Sequence, residues 1–187
     1  MNAANDDRFR DVVAELEIPN KELVNGLDTY LKAVDSISRS SHQGEWAWAT
    51  YQRMILVHGV AGFKDKGPQL PDTYPVGDVG ECFGNAAQLA WAHPELTYVE
   101  GYAGSLVPVE HAWCITKAGK IIDNTWTGAM FDERASAYMG IQYTTKFLTE
   151  LLTEQKIFGI LSSDWRNGNR ALVKGYRFEK GVAVGWQ

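Results

Sequence analysis

The sequence predicts an α+β protein in which helices come first and a central antiparallel sheet follows. Apolar residues recur at helical spacing through much of the first sixty residues, whereas three short segments rich in β-branched and aromatic residues follow one another within 97–126. A late helical pattern and a hairpin pattern lie in 144–187. Because the chain has 187 residues and no repeat, low-complexity tract or linker, we expect a single domain over 1–187.

The N-terminal part, 1–62, is predicted to be helical. A short amphipathic pattern occupies 9–16, and Asn20 is a candidate N-cap for a longer helix that follows. A further helix is predicted over 46–58. The segment 63–81 contains three prolines and three glycines, which predict a long loop.

The second half of the chain alternates between helical and strand patterns. Apolar residues at helical spacing over 83–91, ended by Pro94, predict a helix with one buried face. A second helix is predicted over 144–156, and a C-terminal hairpin is predicted to turn at 179–181. The strand patterns are TYVEGYA (97–103), HAWCIT (111–116) and KIIDNTW (120–126), the last two joined by the short turn KAGK.

Cys82 lies directly before the helical pattern of 83–91, at a predicted helix N-terminus. A free thiol has a pKa of about 8.5 and attacks well only as the thiolate. The positive end of a helix dipole and a nearby imidazolium both stabilise that anion. Gly80 suits a tight approach into the first turn, and the backbone N–H of Cys82 is a candidate oxyanion donor. The position therefore predicts a nucleophile.

His111 and Asp123 lie on two strands that a short turn connects. Strand alternation places His111 on one face of its strand and Cys114 on the other. If residue 115 pairs with 120 or 121, His111 lies diagonally opposite Asp123, within reach of an imidazole–carboxylate contact. Asp123 would then fix the imidazole tautomer while His111 relays a proton between sulfur and leaving group.

Four motifs resemble the core of the transglutaminase-like family, a branch of the papain-like cysteine enzymes. They are G-x-C at Gly80 and Cys82, Y-V-x-G-Y at 98–102, H-A-W at 111–113 and I-D-x-T-W at 122–126. The resemblance covers 80–126 and implies a triad together with a nucleophile helix packed on an antiparallel sheet; the triad residues are Cys82, His111 and Asp123. Members of this family include crosslinkers, deamidases, peptidases, amidases, acyltransferases and inactive copies, so the resemblance does not give the substrate.

Further site residues are assigned by their proximity to these motifs. For Trp113 and Trp126, packing in the core and shielding of the His–Asp pair from water are the alternatives. For Tyr102, packing in the core is the alternative to substrate binding. Glu100 is a candidate substrate contact or a buried pair. The candidate substrate-binding residues are Asn85, Tyr102, Trp113 and Trp126. Candidates for a second oxyanion donor are Trp48, Gln69 and Tyr74.

The composition narrows the range of partners. A net charge of −5 and a pI near 5.4 argue against nucleic acid and anionic membranes as partners. No run of 18 apolar residues and no secretory signal pattern are visible, so we expect a cytoplasmic protein. Neither CxxC nor HxxxH spacing occurs, so neither a metal site nor a cofactor is expected.

These observations predict a cysteine-dependent hydrolase or acyltransferase acting on an amide, ester or thioester through an acyl-enzyme. The expected substrate is a soluble peptide, a protein side chain or a small amide. The alternative is a non-catalytic interaction module that keeps the fold and binds a partner through the cleft or the loop 63–81. The sequence leaves the oligomeric state open.

Overall fold

A computed structural model describes residues 18–39, 46–104 and 107–187 of the protein. The helices are α1 (Ile18–Arg39), α2 (Tyr51–His58), α3 (Cys82–Ala92), α4 (Ala129–Asp132), α5 (Thr145–Gln155) and α6 (Arg170–Lys174), with a 3₁₀ turn at Asp164–Asn167. The strands are β1 (Val60–Lys64), β2 (Thr97–Gly104), β3 (Val109–Ile115), β4 (Ile121–Ile122), β5 (Ser136–Tyr143), β6 (Tyr176–Glu179) and β7 (Val182–Trp186).

The strands form one sheet of seven strands. Its order is β4-β3-β2-β5-β7-β6, and β1 pairs with the first half of β5. Every pairing is antiparallel except that between β5 and β7. The predicted α+β class and the mainly antiparallel sheet are therefore confirmed.

Helices cover one face of this sheet, and α3 packs against β3 and β2. The large apolar cluster lies on the helix-covered face and includes Leu27, Leu31, Ala86, Cys114 and Leu148. Each large aliphatic or aromatic side chain buried there contributes about 1.5–3 kcal/mol to stability. The opposite face carries a smaller cluster, which consists of Val99, Ala103, Trp113, Ile115, Ile121 and Tyr138.

Two predictions about the N-terminal part are wrong in detail. Asn20 lies inside α1 and does not cap it; its side-chain amide donates to Asp65 Oδ1 at 3.3 Å. The helix predicted over 46–58 begins only at Tyr51, because Thr50 caps it by accepting a hydrogen bond from Arg53 N at 2.9 Å. The amphipathic pattern at 9–16 lies outside the described residues.

Three segments after the N-terminal part also differ from the prediction. The segment 63–81 is not a loop throughout, because Phe63 and Lys64 end strand β1 and pair with β5. The strand predicted over 120–126 is only the two-residue β4, because the chain turns at Asp123. The segment 127–143, in which no strand was predicted, contains β5.

Candidate active site

Cys82 is the first residue of α3, and its side chain is largely buried, at 8% exposure. Gly80 precedes it with φ at +86°, a backbone conformation that favours glycine, so the chain can turn sharply into the helix. Glu81 is the N-cap residue, and its exposed side chain makes no capping hydrogen bond. The first-turn N–H groups therefore keep their donor capacity next to the sulfur.

His111 lies on β3 and is 1% exposed. Its Nε2 lies 2.8 Å from Asp123 Oδ2, so Nδ1 is the ring nitrogen available to the Cys82 thiol. Burial alone would lower the pKa of His111, but the Asp123 carboxylate and the interaction with Cys82 outweigh it and raise the pKa to about 9. The imidazole is therefore held as the cation at neutral pH.

Asp123 is 3% exposed, and both of its carboxylate oxygens accept hydrogen bonds. Oδ1 accepts from the backbone N–H groups of Thr125 at 2.9 Å and Trp126 at 3.0 Å. These two bonds turn the chain immediately after β4. Oδ2 accepts from Tyr138 Oη at 2.9 Å and contacts His111. Burial would raise the pKa of Asp123, but the charge of His111 and the backbone donors lower it, so the carboxylate stays ionised.

Aromatic rings shield the imidazole. Trp126 stacks on His111 with ring centroids 4.1 Å apart and an interplanar angle of 22°, and Phe131 stacks on the outer face of Trp126 at 5.4 Å. The buried Lys64 holds this segment, because its Nζ donates to Trp126 O at 2.6 Å and lies 3.7 Å from Asp132 Oδ1. The rings exclude water from one side of the His–Asp pair.

The two predicted tryptophans have different surroundings. Trp113 is 1% exposed and packs within the smaller apolar cluster, with its ring against Gly140. A Cβ at Gly140 would lie 2.9 Å from the Trp113 ring and 2.5 Å from Glu100 O, so the glycine makes room for the indole. Trp126 is only partly buried and is the one of the two with surface to offer a substrate.

Asn85 connects α3 to the loop before it and to the turn at Asp123. Its Nδ2 donates to Asp78 O at 2.7 Å and to Thr125 Oγ1 at 2.9 Å, and its Oδ1 accepts from Asp78 N at 3.2 Å. Since the backbone N–H of Thr125 donates to Asp123, Asn85 links the start of α3 to the carboxylate.

Tyr102 lines a small pocket on the helix-covered side of the sheet, where its hydroxyl accepts a hydrogen bond from Gln52 Nε2 at 2.7 Å. Tyr102 pairs with Glu110, whereas the neighbouring Gly101 pairs with His111, so Tyr102 and this pocket lie on the opposite side of the sheet from the His111 side chain.

Cys114 lies on the opposite side of β3 from His111, as alternation predicts. Its Sγ donates to Ala86 O at 3.3 Å, and burial raises the pKa of this thiol well above its usual range. It has the features of a structural cysteine.

Sequence reasoning did not identify the roles of Tyr138 and Lys64, both of which lie on strands that were not predicted. The three candidates for a second oxyanion donor have contacts of their own: Trp48 packs on His58, Gln69 donates to Lys66 O and Tyr74 donates to Glu95. Glu100 is fully buried and binds the backbone of 160–162. The signal for β5, and hence for Tyr138, is the nearly continuous run of apolar and aromatic residues over 137–143, which is typical of a strand buried on both faces.

No protein-family model matches this chain, and comparisons with curated protein sequences and with solved structures found no match either. In the part of the chain that the structure describes, no helix has the length and apolar character needed to cross a membrane. Within those same residues, no group of three or more His, Cys, Asp or Glu side chains could hold a metal ion.

Proposed function

We propose that this protein is a cysteine-dependent hydrolase or acyltransferase that uses Cys82, His111 and Asp123 on an amide, ester or thioester bond. The observation that carries the proposal is the buried His111–Asp123 pair, 2.8 Å apart, beside a thiol at a helix N-terminus. A buried cation with its counter-ion needs a reason to be retained next to a thiol, and activation of that thiol supplies one.

The proposed reaction has two stages. The Cys82 thiolate attacks the carbonyl carbon, and the oxyanion that develops is stabilised by the backbone N–H of Cys82. The His111 imidazolium gives its proton to the leaving amine, alcohol or thiol as the bond to carbon breaks, leaving a thioester on Cys82. His111 then takes a proton from water or an amine as that molecule attacks the thioester, and the thiolate is released.

The arrangement also supports the transglutaminase-like resemblance. A helix that begins with the nucleophile packs on β3, which carries the histidine, and the next strand leads into the aspartate. Hydrolysis is the simpler outcome, because it requires no second substrate site, whereas the Trp126 and Phe131 rings that exclude water would favour an amine acceptor. The proposed substrates are a peptide, a protein side chain or a small amide.

Thiol labelling tests the proposal without a known substrate. Iodoacetamide labelling is followed from pH 5 to pH 9, with mass spectrometry locating the site, and Cys114 serves as the internal control. We expect rapid labelling at Cys82 that persists below pH 7 and weakens in His111→Ala, because the imidazolium stabilises the thiolate. Ordinary thiol behaviour at both cysteines would contradict the proposal.

One observation favours the alternative of an interaction module. Val76 and Val79, in the loop that leads to Cys82, are 67% and 87% exposed, which leaves two neighbouring aliphatic side chains for a partner to cover. A module that binds a partner through this loop would tolerate Cys82→Ala and would show no preferential labelling. An enzyme would keep its fold in that variant and lose its activity.

A further inference from the structure

Tyr138 donates a hydrogen bond to the same carboxylate oxygen that holds the active-site histidine. Its Oη lies 2.9 Å from Asp123 Oδ2, which is also 2.8 Å from His111 Nε2. The phenol is fully buried and packs edge-on against Trp113, with centroids 5.0 Å apart and an interplanar angle of 65°. Packing alone would be satisfied by phenylalanine, so the hydroxyl requires a separate explanation.

The sheet is shaped so that this phenol can reach Asp123. Tyr138 lies on β5, two strands away from His111 on β3, and β2 lies between them. The β2 residues that face the same side next to them are Gly101, paired with His111, and Ala103, paired with Tyr138. Because these residues have little or no side chain, the phenol can extend over β2 toward the carboxylate.

A carboxylate oxygen that accepts two hydrogen bonds shares its charge between the two donors. The Tyr138 hydroxyl stabilises part of the negative charge on Asp123 Oδ2. It also fixes the orientation of that oxygen relative to the imidazole. Removing the hydroxyl would leave Asp123 charged, because Thr125 and Trp126 still donate to Oδ1. The remaining bond from Oδ2 to His111 would then strengthen.

We propose that Tyr138 is a positioning residue that orients Asp123 toward His111 and limits how strongly the carboxylate holds the imidazole proton. This inference rests on the proposed function, since it assigns Tyr138 a role within that site. The titratable and charged groups around the His–Asp pair, taken from every element packed on it, are Cys82 on α3, Lys64 on β1, Glu110 and Cys114 on β3, Asp132 on α4 and Tyr138 on β5.

The test compares Tyr138→Phe with Tyr143→Phe in the full chain. Tyr143 is an equally buried tyrosine on β5 whose ring faces the other side of the sheet, among Tyr98, Phe147 and Tyr176. In Tyr138→Phe, we expect the alkaline step in the pH profile of Cys82 labelling, where the His111 imidazolium loses its proton, to shift to higher pH by roughly half a pH unit. We also expect the His111 Nε2–H proton to move downfield in the NMR spectrum. Tyr143→Phe should change neither.

A second variant keeps the test decisive if Tyr138→Phe does not fold. Incorporation of 3-fluorotyrosine at position 138 makes the hydroxyl a stronger donor and should shift both signals in the opposite direction. A Tyr138→Phe protein that is folded but matches Tyr143→Phe in both signals would overturn the inference, and so would an unshifted fluorotyrosine protein. The proposed function fails separately, if Cys82 of the wild-type protein labels like an ordinary thiol while the NMR shift still occurs.

Discussion

Glu100 and Asp123 are buried carboxylates with the same number of hydrogen-bond partners, but their pKa values shift in opposite directions. They are 1% and 3% exposed, and each accepts hydrogen bonds on both oxygens. Glu100 accepts from Tyr98 Oη at 2.8 Å and from three successive backbone N–H groups at 160–162, at 2.7, 2.7 and 3.0 Å. Asp123 likewise accepts from a tyrosine and from two backbone N–H groups, but its remaining partner is His111.

The difference in partner decides the charge balance. Burial raises the pKa of both groups, and for Glu100 the neutral donors do not outweigh it, so its pKa remains raised. For Asp123, the nearby imidazolium reverses the direction and the pKa is lowered. Four neutral donors make Glu100 an anchor for the chain at 160–162, whereas one cationic partner makes Asp123 half of a buried ion pair with His111.

Asp123→Asn should produce the largest effect and tests the comparison directly. An amide cannot balance the imidazolium and favours the wrong tautomer, so we expect Cys82 labelling at pH 6–7 to fall roughly 100-fold or more. Glu100→Gln is the matched control and should keep the wild-type labelling rate if it remains folded. Equal losses in the two variants would show that both carboxylates serve the thiol, and the contrast between them would fail.

The stability of the protein should depend on pH through His111. Its folded-state pKa is about 9 against an ordinary 6.5, so the stability that it contributes is complete below about pH 6.5 and is lost as the pH rises through 9. A difference of this size corresponds to roughly 3 kcal/mol. Urea unfolding at pH 6 and pH 9.5 should show this loss in the wild-type protein and not in His111→Phe. If the free energy of unfolding changes with pH equally in both proteins, a group other than His111 is responsible for the change.

Much of the site follows from local patterns. The pairing of Ile115 with Ile121, the position of Cys82 at a helix start and the placement of Cys114 on the opposite face all rest on periodicities that a short segment carries by itself. These features were predicted because strand alternation and helix spacing need no knowledge of distant residues.

The contacts that separate Glu100 from Asp123 could not be predicted in this way. Glu100 binds backbone groups sixty residues further along the chain. Because nearly every residue has a backbone N–H, the sequence does not indicate which of these groups will be donors. Tyr138 reaches Asp123 only because β5 lies in the middle of the sheet, a strand that the sequence reading missed. Asp123 ends β4 early, because its side chain accepts hydrogen bonds from the backbone of the residues that follow. Strand propensities do not include this competition between side chain and backbone.

Glu100→Gln should affect stability and leave reactivity unchanged. A glutamine turns one acceptor into a donor facing the N–H groups at 160–162, so we expect the free energy of unfolding to fall by about 1–3 kcal/mol. Urea unfolding at pH 7 measures this loss, with Glu150→Gln as the control because Glu150 is exposed and makes only a 4.0 Å ion pair. A more stable Glu100→Gln protein would mean that the buried charge costs more than its hydrogen bonds return.

Asn85→Ala should give the smallest effect, because it changes no charged group. The hydrogen bonds of Asn85 go to Asp78 and Thr125, and through Thr125, whose backbone N–H donates to Asp123, they tie α3 to the carboxylate. If reactivity depends on the alignment of the Asp123 side of the molecule, loss of this tie should slow Cys82 labelling several-fold while costing about 1 kcal/mol of stability.

Thr149→Val is the matched control for Asn85→Ala. It removes the hydrogen bond that Trp91, at the far end of α3, donates to Thr149 at 2.9 Å. Because that tie also anchors α3 to a neighbouring element but lies away from Asp123, the variant should lose comparable stability and keep the wild-type labelling rate. If both variants slow labelling equally, reactivity follows the general anchoring of α3, and the carboxylate side has no special dependence on alignment. If only Asn85→Ala does so, the geometry around Asp123 limits the thiol even where no charge has changed.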